Sequence, residues 1–262
     1  MITIKSRKEF ERMAVAGQTV AIVLATVKQT AAPGVSLQEL DDIAAEVIRS
    51  RGCTPSFLGY HGYPASICTS PNNVIVHGIP SDYRLVDGDV LSVDAGAIFE
   101  GFHGDAAITF PIGDVPAETQ LLIDTTEQAL AAGIAQVKAG ARLGDIGHAV
   151  ENEANRHGFG VVREYVGHGI GRQMHEDPQV PNYGNPGTGA KLKKGMAICI
   201  EPMFNMGGHG TLVEPDGWTV VTADGSLSAH FEHTIAITDR GPRVMTLLGA
   251  SEDDLAVAPA SG

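Results

Sequence analysis

A chain of 262 residues, 43% of them hydrophobic, is long enough to bury the core of one large domain or two small ones, and its composition argues against wholesale disorder. Its 18 Lys and Arg against 31 Asp and Glu leave a formal charge of −13, which disfavours nucleic acid or an anionic membrane surface as the main partner. Three cysteines (Cys53, Cys68, Cys199) fit a reducing compartment without disulfides. The opening MITIKSRKEFERM lacks an apolar signal-peptide core, and no run of about 18 apolar residues predicts a membrane span.

In chain order, Ser6-x-x-Glu9 is a capping box, in which each side chain satisfies an orphaned backbone N–H of the first helical turn. Phe10, Met13, Val20, Leu24 and Val27 then recur at helical spacing until Pro33-Gly34 stops the run. Ser36-x-x-Glu39 repeats the signal, with Leu40, Ile43, Val47 and Ile48 as the buried stripe and Gly52 as the stop. β-rich runs follow at Val74–His77, Val90–Val93 and Ala106–Phe110. A second helical pair is predicted at 116–138 and 143–157, and further strands at Met196–Ile200, Trp218–Val221 and His233–Thr238. Asp87-Gly88, Asp216-Gly217 and Asp224-Gly225 supply turns. The order helices–strands–helices–strands suggests a duplicated α+β unit, without a visible sequence repeat. Residues 1–250 read as a single domain, and Ser251–Gly262 as a flexible tail.

Acids that interrupt apolar strands carry the chemical signal, because burying a carboxylate without compensation is expensive. Asp94 ends LSVDAG, Asp105 sits in FHGDAAITF where the two could face each other across a hairpin, Glu201 breaks MAICIEPMF, and Glu232 lies in SAHFEHTIAI. Taken singly, each reads more readily as a cap, turn or surface acid. Joined by His168 in the glycine-rich GHGIGRQMHEDP, they form an oxygen-rich donor set with one imidazole. Such a set suits two divalent ions, Mn, Fe or Co with Zn tolerated, of the kind that activate water in hydrolases. His175-Glu176 has Gln179 where a zinc helix needs its second histidine, the glycines miss the dinucleotide spacing, and neither a P-loop nor a GxSxG elbow is present.

The ordered set Asp94, Asp105, His168, Glu201, Glu232, with the strings NNVIVHGIP, GFHGD, VGHGIGRQMHEDP and DGSLSAHFEHT, resembles the methionine aminopeptidases over residues 3–248. The resemblance implies the α+β pita-bread fold, a pseudo-twofold curved antiparallel sheet with helices on its outer face. It implies metal-activated hydrolysis of the N-terminal methionine from nascent polypeptides whose second residue is small. Asp105 and Glu232 would bridge two metals (Co, Mn, Fe, Zn or Ni), Asp94 would chelate one, and His168 with Glu201 would complete the other. Glu201 would also act as general base, with His77 and His175 facing the substrate amide. Phe57, Tyr60, Tyr63, Cys68, Met174 and Trp218 would line the methionine pocket. Phe57 and Met174 depart from the commonest pattern of Cys and Phe at those positions. Asn72, Val74 and Ser228 match a structural Na or K site. His103 is expected to be structural, and His148 and His157 to lie on the surface.

The separation 232 − 201 = 31 leaves no room for the long insertion of type II members, so the chain is similar to type I. The expected protein is a cytoplasmic monomer that meets nascent N-termini at the ribosome, without nucleic acid or membrane. The rival readings are a proline-specific relative (aminopeptidase P or prolidase, which usually carry an extra N-terminal domain), an inactive RNA- or protein-binding fold-mate, and a creatinase-like hydrolase.

Overall fold

The computed structural model describes residues 2–249, so the expected tail at 251–262 lies outside the described residues. Chain order runs α1 (Arg7–Thr30), α2 (Leu37–Ser50), β1 (Thr54–Pro55), β2 (Ile67–Pro71), β3 (Val74–Val76), β4 (Val90–Phe99) and β5 (Phe102–Pro111). It continues with α3 (Ala117–Ala135), α4 (Leu143–His157), β6 (Gly160–Val161), β7 (Gly167–Gly169), β8 (Glu176–Val180), β9 (Ala197–Ile200) and β10 (Met203–Asn205). The last strands are β11 (Thr211–Val213), β12 (Val220–Thr222), β13 (Ser228–His230), β14 (Glu232–Thr238) and β15 (Gly241–Val244).

Both capping boxes form as the sequence predicts. Ser6 N–H donates to Glu9 Oε2 at 2.8 Å and Ser36 N–H to Glu39 Oε2 at 2.7 Å, while each serine hydroxyl caps the glutamate N–H in return. Met13, Val20, Leu24 and Val27 of the α1 stripe are buried, as are Leu40 and Ile48 of α2. Helix α1 is long and apolar enough, by length and composition, to cross a bilayer; 56% of that stretch is buried. Its buried face packs on β4 and β5, as the core helix of a globular fold would.

The principal sheet is antiparallel, in the order β1-β4-β5-β14-β9-β7-β8, with β2 added on β4 and β15 on β14. Two three-stranded ribbons, β13-β10-β6 and β11-β12-β3, complete the β structure. Each half has its own core. In the first, Leu24, Leu40 and Ile48 pack on Leu91, Val93 and Phe110; in the second, Ile123, Leu130 and Ile146 pack on Ile198, Ile200 and Ile235. Every such Leu or Ile contributes roughly 1.5–3 kcal/mol on burial. Helix pairs outside a curved antiparallel sheet, one pair per half, make this the pita-bread α+β fold.

The β4–β5 hairpin runs ten residues on each side because its turn, Glu100-Gly101, takes positive φ values of 47° and 77°. Helix α1 lies so close to β5 that a Cβ on Gly104 would sit 2.7 Å from the Gly17 nitrogen. That contact lays the helix flat on the back of the strand whose front carries Asp105.

Candidate metal centre

Five side chains from separate parts of the chain converge on the front of the sheet. Antiparallel register sets Asp94 opposite Ala107, Gly96 opposite Asp105, and Glu232 opposite Ala107 from the other side. Strand periodicity then turns all three acids to one face. His168 arrives on β7, and Glu201 follows β9 directly. His168 Nε2 lies 3.6 Å from Glu201 Oε1, 3.9 Å from Glu232 Oε1 and 4.0 Å from Asp105 Oδ2. The ligand atoms of Asp105, His168, Glu232 and Cys199 all fall within 4.8 Å of one another.

This arrangement is unfavourable without a cation. Asp94 Oδ1, Asp105 Oδ1 and Glu232 Oε1 are buried without hydrogen-bond partners. Burial raises the Asp105 carboxyl to about 7. Burial, and then the neighbouring carboxylates, also push Asp94, Glu201 and Glu232 well above the usual range. Burial likewise holds the His168 imidazole neutral, at about 3. Its Nδ1–H donates to the Gly169 carbonyl at 2.9 Å, so Nε2 aims a lone pair at three carboxylates. A lone pair facing anionic oxygens fits a site built for divalent ions, whose charge offsets both.

The cluster opens into a cavity of about 160 Å³, lined on its apolar side by Phe57, Tyr60, Tyr63, Cys68, Met174 and Trp218 and on its polar side by His77, His175 and the five residues above. Its whole volume is close to the roughly 150 Å³ that holds one benzene, a space on the scale of a single side chain. Gly96 is required there: a Cβ would come within 2.8 Å of the Phe57 ring. The Tyr63 hydroxyl is held by the Gly78 carbonyl at 2.9 Å, which leaves an apolar wall. A larger cleft of about 840 Å³ along Lys5, Glu9, Arg172 and Gln179 shares His168 and His175 with the cavity, but its charges are already paired as Lys5–Glu176 and Arg172–Glu9.

Two further histidines, His77 and His175, line the cavity. His175 stacks edge-on against His168, ring centroids 4.3 Å apart, and its Nδ1 is hydrogen-bonded to the Tyr60 hydroxyl at 2.7 Å. His77 sits at φ 60°, a strained conformation for a non-glycine residue, between Tyr165 and Trp218. Burial, with His175 nearby, keeps its imidazole at about 4. His103, expected to be structural, is buried with Nδ1 on the Ser56 hydroxyl at 2.9 Å. His157 is exposed as expected, whereas His148 is half-buried, because α4 turns that position toward its flank.

Asn72 and Ser228 also meet: the Ser228 N–H donates to the Asn72 carbonyl at 2.9 Å, and the Asn72 side chain spans Asp89 and the Val90 N–H. Val74 stands on β3, opposite Val221.

Two residues at the centre carried no chemical role in the sequence reading. Cys199 lies two positions before Glu201 on one strand and so shares its face; its thiol is raised by burial and then by Glu232 and Asp105. His230 lines the cavity two residues before Glu232. Strand alternation was the available signal for Cys199.

The chain matches metallopeptidase family M24 over residues 11–239. It is 52% identical to methionine aminopeptidase 1 of Mycobacterium tuberculosis over 250 residues, 93% of this chain and 94% of that one. Among solved structures, methionine aminopeptidase from Thermotoga maritima superimposes with a TM-score of 0.93 at 44% identity, over 94% of this chain and 100% of the other. Prolidase from Pyrococcus furiosus has a TM-score of 0.75 at 20% identity and is covered over only 65% of its length, a likeness of fold alone.

Proposed function

The chain belongs to metallopeptidase family M24, and from its 52% identity to a methionine aminopeptidase we infer that it is a methionine aminopeptidase that uses divalent metal. The observation that carries this reading is a converged carboxylate–imidazole cluster at the polar end of a cavity whose other walls are apolar.

Asp94, Asp105, His168, Glu201 and Glu232 would hold two divalent ions. Bound there, the ions would bring the pKa of water toward neutrality and polarise the scissile carbonyl. The protein's own groups do the rest. Glu201, whose carboxyl burial pushes upward, takes the proton of the attacking water as general base. His77 and His175 hydrogen-bond the scissile amide and the charge that develops on it. The cavity walls, Phe57 and Met174 among them, receive the methionine side chain and exclude water around the reacting centre.

The same proposal extends to substrate, metal and setting. The second residue must be small, because it lies beside His77 and His175. Mn, Co or Fe serves as the metal, and a Na or K ion at Asn72, Val74 and Ser228 ties the loops together. Residues 1–250 act as one catalytic domain, a cytoplasmic monomer working on nascent N-termini at the ribosome.

The deciding experiment measures free methionine released from Met-Ala-Ser, with and without added metal, against hydrolysis of an Ala-Pro peptide. Metal-dependent methionine release is expected. Preference for the Ala-Pro peptide at equal metal loading, or full activity after chelation verified by elemental analysis, would overturn the reading.

A further inference from the structure

Glu201 stands between two imidazoles, its Oε1 3.6 Å from His168 Nε2 and its Oε2 3.9 Å from His230 Nε2. The two rings are held differently. His168 commits its Nδ1–H to a carbonyl and turns a lone pair inward. His230 is 2% exposed, and its Nε2 is buried without a hydrogen-bond partner. A buried polar atom left unpaired is costly, so a group within reach should satisfy it.

The backbone beneath His230 is fixed. Its N–H donates to Thr109 Oγ1 at 2.8 Å, the Thr109 hydroxyl returns a bond to its carbonyl at 2.7 Å, and Ser92 Oγ braces that hydroxyl at 2.8 Å. Register with β10 sets His230 opposite Met203, just past Glu201 on the neighbouring strand. The ring is therefore delivered to Glu201 by a rigid strand. A shift of about 1 Å brings Nε2 and Oε2 to hydrogen-bond length.

We propose that His230 is a positioning residue for Glu201: its Nε2–H donates a hydrogen bond to Oε2, leaving Oε1 to the His168 side. The inference rests on the reading of Glu201 as the proton acceptor. It divides the labour of one carboxylate, with Oε1 turned to the cation cluster and Oε2 held in a fixed direction. A carboxylate free to rotate would present either oxygen to either task.

The test uses the metal-loaded protein and three variants. His230→Gln keeps a donor of similar reach, His230→Asn is one methylene too short, and His230→Leu has none. The tautomer of His230 is read from ring ¹⁵N shifts, with its signal assigned by its loss in His230→Gln. The visible spectrum of the Co(II) form reports the arrangement of Glu201 independently of turnover. The Nε2-protonated tautomer is expected. His230→Leu and His230→Asn should lower kcat on Met-Ala-Ser about tenfold to a hundredfold with little change in KM, and alter the Co(II) spectrum, whereas His230→Gln restores both. A bare Nε2, or His230→Leu matching wild type in kcat and spectrum, overturns the proposal. Should His230→Leu fail to fold, the tautomer and the Gln–Asn contrast decide. If wild-type protein releases no methionine with any metal, the proposed function falls, and the tautomer alone then decides the role of His230.

Discussion

Removing the metal should make the stability of the protein depend on pH in a direction set by the carboxylate cluster. Burial raises Asp105 from 3.8 to about 7, and Asp94, Glu201 and Glu232 are raised as well. A carboxyl whose folded-state pKa is raised favours the folded state at low pH, and that favour is lost as pH climbs through the folded value. The stripped protein should thus lose the contribution of Asp105 between about pH 4 and pH 7, a change of roughly 4 kcal/mol.

Five buried imidazoles act in the opposite sense. His77, His103, His168, His230 and His233 are held between about 3 and about 4, so each destabilises the folded protein as pH falls below 6.5. With the proposed ligand His168 aside, that penalty is common to stripped and loaded protein and cancels in their difference. The difference isolates the carboxylates: each proton that metal must displace costs about 1.4 kcal/mol per pH unit below about 7. Over two units a single proton narrows the gap by roughly 3 kcal/mol, or roughly 5–10 °C in Tm.

The assay is calorimetry of chelated and Mn-loaded protein from pH 5 to pH 8. A gap that widens with pH is expected, and stripped Asp105→Asn should be more stable than stripped wild type at pH 8. A gap independent of pH, or one that narrows as pH rises, would refute the reasoning.

Glu232→Gln should lose metal and turnover together, checked by elemental analysis beside the methionine assay, because it removes a buried anion from the cluster. His175→Ala should retain metal and lose about 10²–10³ in kcat; an empty site or an intact rate would disprove its role at the substrate. Phe57→Ala opens the cavity, so norleucine and branched first residues should gain on methionine in a peptide panel; an unchanged ranking would place Phe57 outside the pocket wall. Gly104→Ala drives a methyl to 2.7 Å from the Gly17 nitrogen and should lower the urea midpoint by the equivalent of about 1–3 kcal/mol.

What the sequence disclosed was local or costly. The capping boxes at Ser6 and Ser36 are complete within four residues, and 143–157 is found as Leu143–His157. Asp94, Asp105, Glu201 and Glu232 stood out because apolar strands do not carry acids without a reason. Strand ends were less legible. Val90–Val93 extends to Phe99 and Ala106–Phe110 begins at Phe102, since the Gly and Ala that suit close packing against Gly17 and Phe57 mask the strand pattern. His230 was silent because its significance lies in a distance to Glu201 that only the pairing of β10 with β13 creates.

Helix α1 also ties the two ends of the described chain together. A Cβ at Gly17 would lie 2.4 Å from the Met245 carbonyl oxygen, so the helix is covered partly by backbone made 228 residues later. At about 5–20 residues per second, roughly 11–46 s of synthesis separate the two. Until then a helix of bilayer-like length and composition waits for part of its cover, with Met13 and Met245 unable to meet in the core. A polypeptide truncated shortly before Met245 would display its defect at the opposite end of the sequence, as bare apolar surface on α1.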